Sequence, residues 1–395
     1  MIICFVVDVY KDRSNGTSMS AFRSAKMLRQ KGHEVRIVAV KDKEKLEYEE
    51  GEFGEKLYLC KENYIPLVTE ISHKQHMRFA KPDINLMKKA FQGCDIVHFF
   101  LPFALEIAGI KLCKELKIPY TTAFHLQPQH ISYNMNFNFD FFNDYLYRRF
   151  YRHFYAYAHH IHCPSKLMQD ELKRIGYKAK TYVISNGFEL SVQSSQAKKE
   201  ENGFFNIVSV GRFSKEKRQD VLIKALATNK YSKQIKLHLH GLGPRQDYLK
   251  NLCSKLLANE CEFGFLENST LMQKLVSMDL YVHAAEVESE AISCLEAISL
   301  GLVPVIADSK ISATNQFALD ERSLFKTNDI KDLNKKIKYW IENQDELKKM
   351  QTAYKNSVAK YELSLCVDKL LQMFDEARKD FKDDESLFAR INSLD

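Results

Sequence analysis

Three kinds of pattern are missing from this sequence of 395 residues. No apolar run approaches the roughly 20 residues of a membrane-spanning helix, so any contact with a bilayer must be peripheral. No GxGxxG follows the first predicted strand, as a dinucleotide site of the Rossmann type would require. There is no internal repeat and no low-complexity tract, which excludes repeat and fibrous architectures.

Cysteine occurs nine times but never as a CxxC pair. Most of the cysteines lie inside apolar runs, which is typical of small hydrophobic side chains in a reducing cytoplasm rather than of disulfides or metal ligands. The N-terminal stretch has only seven apolar residues before Asp8. We therefore predict a first strand there and not a signal sequence, which favours a cytoplasmic protein.

The length and the charge distribution divide the chain into two halves. A chain of this length is too long for one ordinary core and indicates two α/β domains. Residues 1–185 contain 28 lysines and arginines against 20 acidic residues, whereas the remainder contains 30 against 31. The first half is therefore expected to meet an anionic surface, and the second half is not.

Apolar runs of strand length alternate with stretches of helical period. In the first half, strands are predicted at 2–7, 33–40, 95–100 and 119–124, and helices at 19–31 and 103–116. The charged segment 41–55 is predicted to be a solvated loop. Alternation of this kind favours doubly wound parallel sheets, whose ligands bind at the carboxyl ends of the strands. His125 lies at such an end, so it is a candidate binding residue, with a packed histidine as the alternative.

Glycine follows two predicted strands of the second half, after a polar segment at 191–202 that is predicted to be an interdomain linker. The strand at 204–210 ends in Gly211, which is followed by Arg212 and Lys217. An arginine can bind two phosphate oxygens and a lysine supplies a point charge, so this turn suits a diphosphate. Gly241 begins a similar turn after the strand at 236–240.

A third glycine turn, at 14–18, precedes the first helix. Gly16 lets a backbone approach a ligand closely, and Thr17 or Ser18 is predicted to cap the helix, whose free N–H groups could bind a phosphate. An ordinary turn between strand and helix is the alternative at this position.

The stretch 285–307 combines two acidic residues with a predicted helix and a buried strand. Glu288 lies just before the predicted helix, and Glu296 is eight residues farther on, about 12 Å along the axis. That separation suits one carboxylate on a sugar and the other on the ribose of the same nucleotide-sugar. The helix N-terminus between them would face the diphosphate. The alternative is a half-buried helix whose two acids point at solvent or at basic neighbours.

Two stretches of the first half, 73–91 and 137–162, combine basic and aromatic residues. Such a combination is typical of an interfacial segment on an anionic membrane, but also of a stacking surface for single-stranded nucleic acid. A buried aromatic helix is the third alternative. The candidate basic residues are Lys74, Arg78, Arg148, Arg149 and Arg152.

Several of these motifs, taken in order, resemble the retaining glycosyltransferases of family 4. They are Val183-Ile-Ser-Asn-Gly187, Gly211-Arg-Phe-Ser-Lys-Glu-Lys217, Gly241-Leu-Gly-Pro244 and the pair Glu288 and Glu296. The resemblance implies the GT-B fold, with two Rossmann-like domains at 1–185 and 186–365 and a helical tail at 366–395 that returns to the first domain. It also implies a nucleotide-sugar on the second domain and an acceptor on the first.

The resemblance implies a role for each candidate residue and no metal or other cofactor. Arg212 and Lys217 would be catalytic residues that hold the diphosphate. Glu288 would bind a sugar hydroxyl and His125 would approach the C6 side of the sugar. The donor site would be completed by Gly16, Thr17, Gly211, Gly241, Glu290, Ala291, Ile292 and the ribose ligand Glu296. The family usually has Phe-Gly two residues after the first glutamate, where this sequence has Glu290-Ala291.

A narrower resemblance is to bacterial lipid glucosyltransferases, especially those that act on a sterol. It lies in the stretches 64–76, 124–134, 162–166 and 317–325. It implies transfer of glucose from UDP-glucose to a lipid hydroxyl, with peripheral binding to the inner face of an anionic membrane and no nucleic acid partner. A diacylglycerol acceptor, a sugar-nucleotide epimerase and a nucleic-acid-binding module remain as alternatives.

Overall fold

The computed structural model describes residues 1–10, 12, 15–41, 48–64, 66, 68–73, 77–135, 137–189 and 202–383. The chain forms two compact units. The first contains Met1–Pro128, Asn138–Asn186 and the helix that begins at Leu363, and the second contains Gln129–Phe137 and Gly187–Glu362. The sequence prediction placed the short segment Gln129–Phe137 in the first domain, whereas in the structure it belongs to the second unit. Most of the predicted linker, namely residues 191–201, lies outside the described residues.

The first unit is built on an eight-stranded sheet. Its strands are β1 (Ile2–Val6), β2 (Glu34–Val40), β3 (Tyr48–Glu50), β4 (Lys56–Cys60), β5 (Ile96–Phe99), β6 (Tyr120–Ala123), β7 (His160–Cys163) and β8 (Lys180–Val183). They lie in the order β3-β4-β2-β1-β5-β6-β7-β8, and only β3 is antiparallel to its neighbour. The central strands β5 and β6 are buried along their whole length, as expected for strands covered on both faces.

Helices connect these strands. They are α1 (Gly16–Gln30), α2 (Val68–His73), α3 (Ile84–Phe91), α4 (Ala104–Leu116), α5 (Pro128–Asn134), α6 (Asp140–His153) and α7 (Lys166–Ile175). From Gln129 onward, α5 belongs to the second unit.

The second unit has a parallel sheet of six strands. They are β9 (Phe205–Val210), β10 (Ile235–His240), β11 (Glu262–Gly264), β12 (Leu280–His283), β13 (Val303–Asp308) and β14 (Leu324–Lys326), in the order β11-β10-β9-β12-β13-β14. The helices are α8 (Gln219–Ala227), α9 (Gln246–Leu256), α10 (Asn268–Val276), α11 (Ile292–Ser299), α12 (Ile330–Glu342) and α13 (Gln344–Ser357). Since the parallel strands all end at one edge, the loops after β9, β10 and β12 lie close together.

The last helix, α14 (Leu363–Asp383), packs in the first unit. Its buried residues Val367, Leu370 and Phe374 join the same hydrophobic core as residues of β1 and α1. Asp368 forms an ion pair at 2.8 Å with Lys31, the residue that follows α1. The fold prediction, two doubly wound α/β domains with a C-terminal helix on the first, is therefore confirmed.

Several local predictions need correction. The segment 41–55 is not only a loop, because Tyr48–Glu50 forms β3 against β4. Helix α1 begins at Gly16, and its cap is neither Thr17 nor Ser18: the side chain of Asn15 accepts hydrogen bonds from both of their backbone N–H groups, at 3.0 and 3.2 Å. Helix α11 begins at Ile292, four residues after Glu288.

None of the nine cysteines forms a disulfide, and seven of them are buried. Among the described residues, no helix is long and apolar enough to cross a membrane.

Candidate active site

Two glycine loops interlock at the carboxyl ends of β9 and β10. The Gly211 N–H donates to the carbonyl of His240 at 3.0 Å, and the Phe213 N–H donates to the carbonyl of Leu242 at 2.8 Å. A Cβ atom on Gly241 would lie 2.0 Å from the carbonyl oxygen of Gly211. Glycine is therefore required at position 241, and the close approach of the two backbones fixes the loop that carries Arg212.

A buried carboxylate holds the side chain of Arg212. Glu216 is fully buried, and its Oε1 accepts hydrogen bonds from Arg212 Nη2 at 3.0 Å and from Ser214 Oγ at 2.6 Å. His130 Nδ1 lies 3.9 Å from the same oxygen. Burial by itself raises the pKa of Glu216, but His130, Arg212 and Lys217 outweigh it and lower that pKa below its usual range. No sequence pattern singles out Glu216, although it lies inside the predicted diphosphate motif.

The structure brings Lys217 and Glu288 together, although 71 residues separate them in sequence. Lys217 Nζ donates to Glu288 Oε1, and His283 Nε2 lies 3.2 Å from the same oxygen. The two partners of the ion pair are only 14% and 13% exposed. Two of the three predicted catalytic residues of the second unit, Lys217 and Glu288, therefore form one cluster, to which the structure adds His283.

The charge of this cluster keeps Glu288 ionised. Burial raises the pKa of Glu288, but the Lys217 ammonium and the His283 imidazole lower it more, and the net shift is downward. An ionised carboxylate accepts strong hydrogen bonds from hydroxyl groups. Glu288 is thus suited to bind a sugar hydroxyl and not to donate a proton.

A hydrogen-bonded chain lies behind Glu288. Tyr281 Oη lies 3.3 Å from His283 Nδ1 and 3.0 Å from Ser293 Oγ. The Ser293 hydroxyl in turn donates to the carbonyl of Val210 at 3.2 Å. The backbone of Glu288 is fixed as well, because its carbonyl accepts from the Ala313 N–H at 2.9 Å. The carboxylate is therefore preorganised by contacts on both sides.

Ala291 adopts a backbone conformation that usually belongs to glycine. Its φ is 73° and its ψ is 68°, at the position that caps α11 before Ile292. A left-handed conformation costs an alanine about 1–2 kcal/mol. Glu290-Ala291, which replaces the usual Phe-Gly, therefore retains a left-handed turn before α11, and Ala291 is locally strained. The neighbouring Glu290 is 3% exposed, so its side chain is directed into the protein.

Glu296 lies in the middle of α11 and is buried. Asn268, the first residue of α10, donates its Nδ2 to Glu296 Oε1 at 3.2 Å. The predicted alternative of a solvated acid is excluded for Glu296, because its side chain is 5% exposed.

The first unit carries its own candidate residues. Gly16 begins α1, and a Cβ atom there would meet no heavy atom of the described residues within 4 Å, so none of these residues fills the space above it. Thr17 presents its N–H to Asn15. His125 follows β6 and is buried, with its ring stacked on Phe100 at 5.5 Å and edge-on to His162 at 5.1 Å. Burial, and then His162, hold the pKa of His125 well below its usual range, so this imidazole is neutral.

Helix α6 presents different residues on its two faces. Tyr147 and Phe150 are buried, so part of the aromatic stretch is core, as one alternative predicted. Phe141 is 71% exposed and Tyr145 is 54% exposed. The exposed side of α6 also carries the three predicted basic residues, Arg148, Arg149 and Arg152.

The other basic stretch is less open. Arg78 donates to the carbonyl of Lys41 at 2.9 Å and forms an ion pair with Glu62 at 3.2 Å. It is therefore engaged within the first unit. Lys74 lies outside the described residues.

Two family models match consecutive parts of the chain. One, described as Glycosyltransferase Family 4, matches residues 14–192, and the other, described as Glycosyl transferases group 1, matches residues 192–357. The protein therefore belongs to glycosyltransferase family 4 with the GT-B fold. It is an enzyme, a hexosyltransferase.

Three relatives illustrate this similarity. The α-monoglucosyldiacylglycerol synthase of Streptococcus pneumoniae (strain ATCC BAA-255 / R6) is 26% identical over 328 residues, which cover 78% of this chain and 71% of that protein. The catalytic domain of cholesterol-α-glucosyltransferase from Helicobacter pylori is 55% identical over 40% of this chain and 98% of that chain, with a TM-score of 0.39. HepE from Anabaena, in complex with UDP and glucose, is 18% identical, covers 95% of this chain and 100% of that chain, and has a TM-score of 0.71.

Proposed function

We propose that the protein transfers glucose from UDP-glucose to the hydroxyl group of a membrane lipid, with retention of configuration at the sugar. The proposed acceptor is a sterol, and diacylglycerol is the second candidate. The observation that carries the proposal is the preorganised cluster of Lys217, Glu288 and His283. It lies in the same unit as Arg212 and its glycine loops. We further propose that transfer requires no metal ion.

The donor diphosphate would bind to Arg212 and Lys217. Arg212 is oriented by the buried Glu216, so little side-chain entropy is lost when it meets the phosphate oxygens. Lys217 would exchange part of its contact with Glu288 for the diphosphate. Negative charge grows on the leaving oxygen as the bond to the sugar breaks, so the two cations stabilise the transition state more than the ground state.

Glu288 would hold the transferred sugar, and Glu296 the ribose. As the bond from the anomeric carbon to the diphosphate breaks, that carbon forms a bond to the acceptor oxygen on the same face. The proton of the acceptor hydroxyl passes to the departing phosphate oxygen. Glu288 would hold the sugar in place for this exchange by accepting hydrogen bonds from the sugar hydroxyl groups. The donor phosphate would bind at Thr17 and in the space above Gly16.

A UDP-linked donor is supported by the likeness to HepE, whose structure contains UDP and glucose. A lipid acceptor is supported by the α-monoglucosyldiacylglycerol synthase, whose name describes a glucosylated lipid as its product. The sterol is favoured by the sequence stretches that resemble sterol-specific lipid glucosyltransferases. The neutral imidazole of His125 would approach the sugar at its C6 side.

The enzyme would reach its acceptor by docking on an anionic membrane at the inner face of the cell. The exposed face of α6 supports this proposal, because it places Phe141 and Tyr145 beside three arginines. Aromatic side chains enter the interface between headgroups and acyl chains, while guanidinium groups bind anionic headgroups. Arg78 would contribute less, since its ion pair with Glu62 already occupies it.

The test is incubation of the purified enzyme with labelled UDP-glucose, UDP-galactose or UDP-N-acetylglucosamine and vesicles that contain cholesterol, diacylglycerol or neither. We expect a labelled glucolipid with UDP-glucose and cholesterol, and mass spectrometry identifies it. Transfer to diacylglycerol alone would select the second acceptor. Label that appears in no lipid would refute the proposed function. The variant Lys217→Ala serves as the inactive control.

A further inference from the structure

A cluster of three potential metal ligands lies on the edge of the second sheet. His238 and His240 are on β10, and Glu262 is on the neighbouring strand β11. One ligand atom from each of these residues lies within 4.8 Å of the other two. Both histidines are buried, and the Glu262 side chain is 36% exposed. None of the three belongs to the residues proposed above for glucose transfer.

The hydrogen bonds of His238 leave one ring nitrogen directed at the carboxylate. The amide nitrogen of Asn206 donates to Asn202 Oδ1 at 3.2 Å and to the carbonyl of Phe204 at 3.1 Å. These bonds orient the amide so that its Oδ1 faces His238 Nε2 at 3.0 Å and accepts a proton from it. The lone pair of the neutral ring is then on Nδ1, which lies 3.0 Å from Glu262 Oε2.

His240 is oriented in the same manner. Its Nδ1 donates to the carbonyl of Gly264 at 3.3 Å, which leaves the lone pair on Nε2. That atom is buried and has no hydrogen-bond partner among the described residues. Metal-bound histidines usually donate their other ring N–H to a carbonyl or carboxylate oxygen in this way. Both imidazoles of the cluster therefore already have the protonation pattern of ligands.

Glu262 completes the cluster from the neighbouring strand. Its Oε2 lies 3.0 Å from His238 Nδ1. The ammonium of Lys274, 3.0 Å from Glu262 Oε2, supplies positive charge at this point.

We propose that His238, His240 and Glu262 bind a divalent transition-metal ion, zinc by preference, in exchange for the Lys274 contact. Two imidazole nitrogens and one carboxylate oxygen are a common zinc ligand set, and a water molecule completes the tetrahedron. Around zinc such ligands lie about 3.4 Å apart, given bond lengths of about 2.0–2.2 Å. The ion would join β10 to the edge strand β11 and take no part in glucose transfer.

The experiment measures zinc binding to the full-length protein after removal of metal with EDTA. Equilibrium dialysis against ZnCl₂ should show one tightly bound equivalent and a higher melting temperature. His240→Ala and Glu262→Gln should each weaken this binding by at least about tenfold. Lys274→Met should strengthen it, because the competing ammonium is gone. The exposed His153 offers a matched control, and His153→Ala should bind zinc like the parent.

Two results would overturn the proposal. The first is zinc binding that His240→Ala and Glu262→Gln leave unchanged. The second is loss of the tight equivalent in Cys261→Ser with retention in His240→Ala, since the zinc would then belong to the thiols of Cys261 and its neighbour Cys253. The visible spectrum of the Co²⁺-substituted protein provides an independent measurement. A tetrahedral spectrum should appear in the parent and in Lys274→Met, but not in His240→Ala.

Discussion

Replacement of Lys217 by methionine tests the ion pair at the centre of the candidate site. Methionine fills a similar volume but removes the charge, so Glu288 loses its main counter-charge. Both side chains are more than four-fifths buried. Removal of one partner of a buried ion pair typically costs about 3–5 kcal/mol. For a unit of this size that corresponds to a decrease in melting temperature of roughly 6–20 °C.

The loss of activity should be larger than the loss of stability explains. Removal of one preorganised charge that faces a developing oxyanion costs about 3–4 kcal/mol of barrier, which is roughly a hundredfold or more in turnover. The double variant Lys217→Met/Glu288→Gln separates the two effects. It leaves no unpaired charge, so most of the lost stability should return, whereas turnover should remain as low as in Lys217→Met. Lys215→Met, an exposed lysine of the same loop, is the matched control.

The assay combines thermal melting with the initial rate of glucose transfer from UDP-glucose to lipid in vesicles. Additive destabilisation in the double variant would show that Lys217 and Glu288 are not coupled. Turnover of Lys217→Met at the level of Lys215→Met would show that Lys217 does not touch the diphosphate. Either result would refute the role assigned to the cluster.

Three further predictions concern other parts of the chain. Glu296→Gln should weaken UDP binding, measured by calorimetry, whereas Glu288→Gln should reduce glucose transfer and leave the affinity for UDP nearly unchanged. The reverse pattern would show that Glu288 binds the ribose and Glu296 the sugar. Burial raises the pKa of Asp8 to about 7, above its unfolded value of about 3.9, so the free energy of unfolding should fall as pH rises between these two values. In thermal melts from pH 4 to 8, Asp8→Asn should remove the part of this pH dependence that Asp8 causes, and an unchanged pH dependence would contradict the shift. Replacement of Arg148, Arg149 and Arg152 by serine should weaken binding to anionic vesicles by about 3 kcal/mol and leave the affinity for UDP unchanged. Binding is measured by sedimentation with the vesicles, and a triple variant that sediments like the parent would exclude α6 as the membrane contact.

Some of the site was predictable because its signals are local in sequence. Gly211, Arg212 and Lys217 lie within seven residues, directly after an apolar run that can only be a buried strand. The parallel sheets could be predicted from the alternation of strands and helices, because this alternation is visible in local hydrophobic patterns of the sequence.

The remaining features depend on contacts between distant residues. Glu216 is one of many acidic residues until the fold buries it against Arg212 and His130. His283 gains its role only when its strand places it 3.2 Å from Glu288. The predicted cap at Thr17 or Ser18 was wrong because the preceding Asn15 competes for the same N–H groups more effectively. Strand β3 was missed since its three residues are charged or half-exposed and are held only by pairing with β4.

The most direct test of the central claim is the anomeric configuration of the product. The purified enzyme should convert UDP-glucose and vesicle-bound cholesterol into free UDP and an α-linked glucolipid, identified by the proton NMR coupling of its anomeric hydrogen. A β-linked product would contradict retention. Conversion of UDP-glucose into another sugar nucleotide, without transfer to any lipid, would contradict the proposed transfer itself.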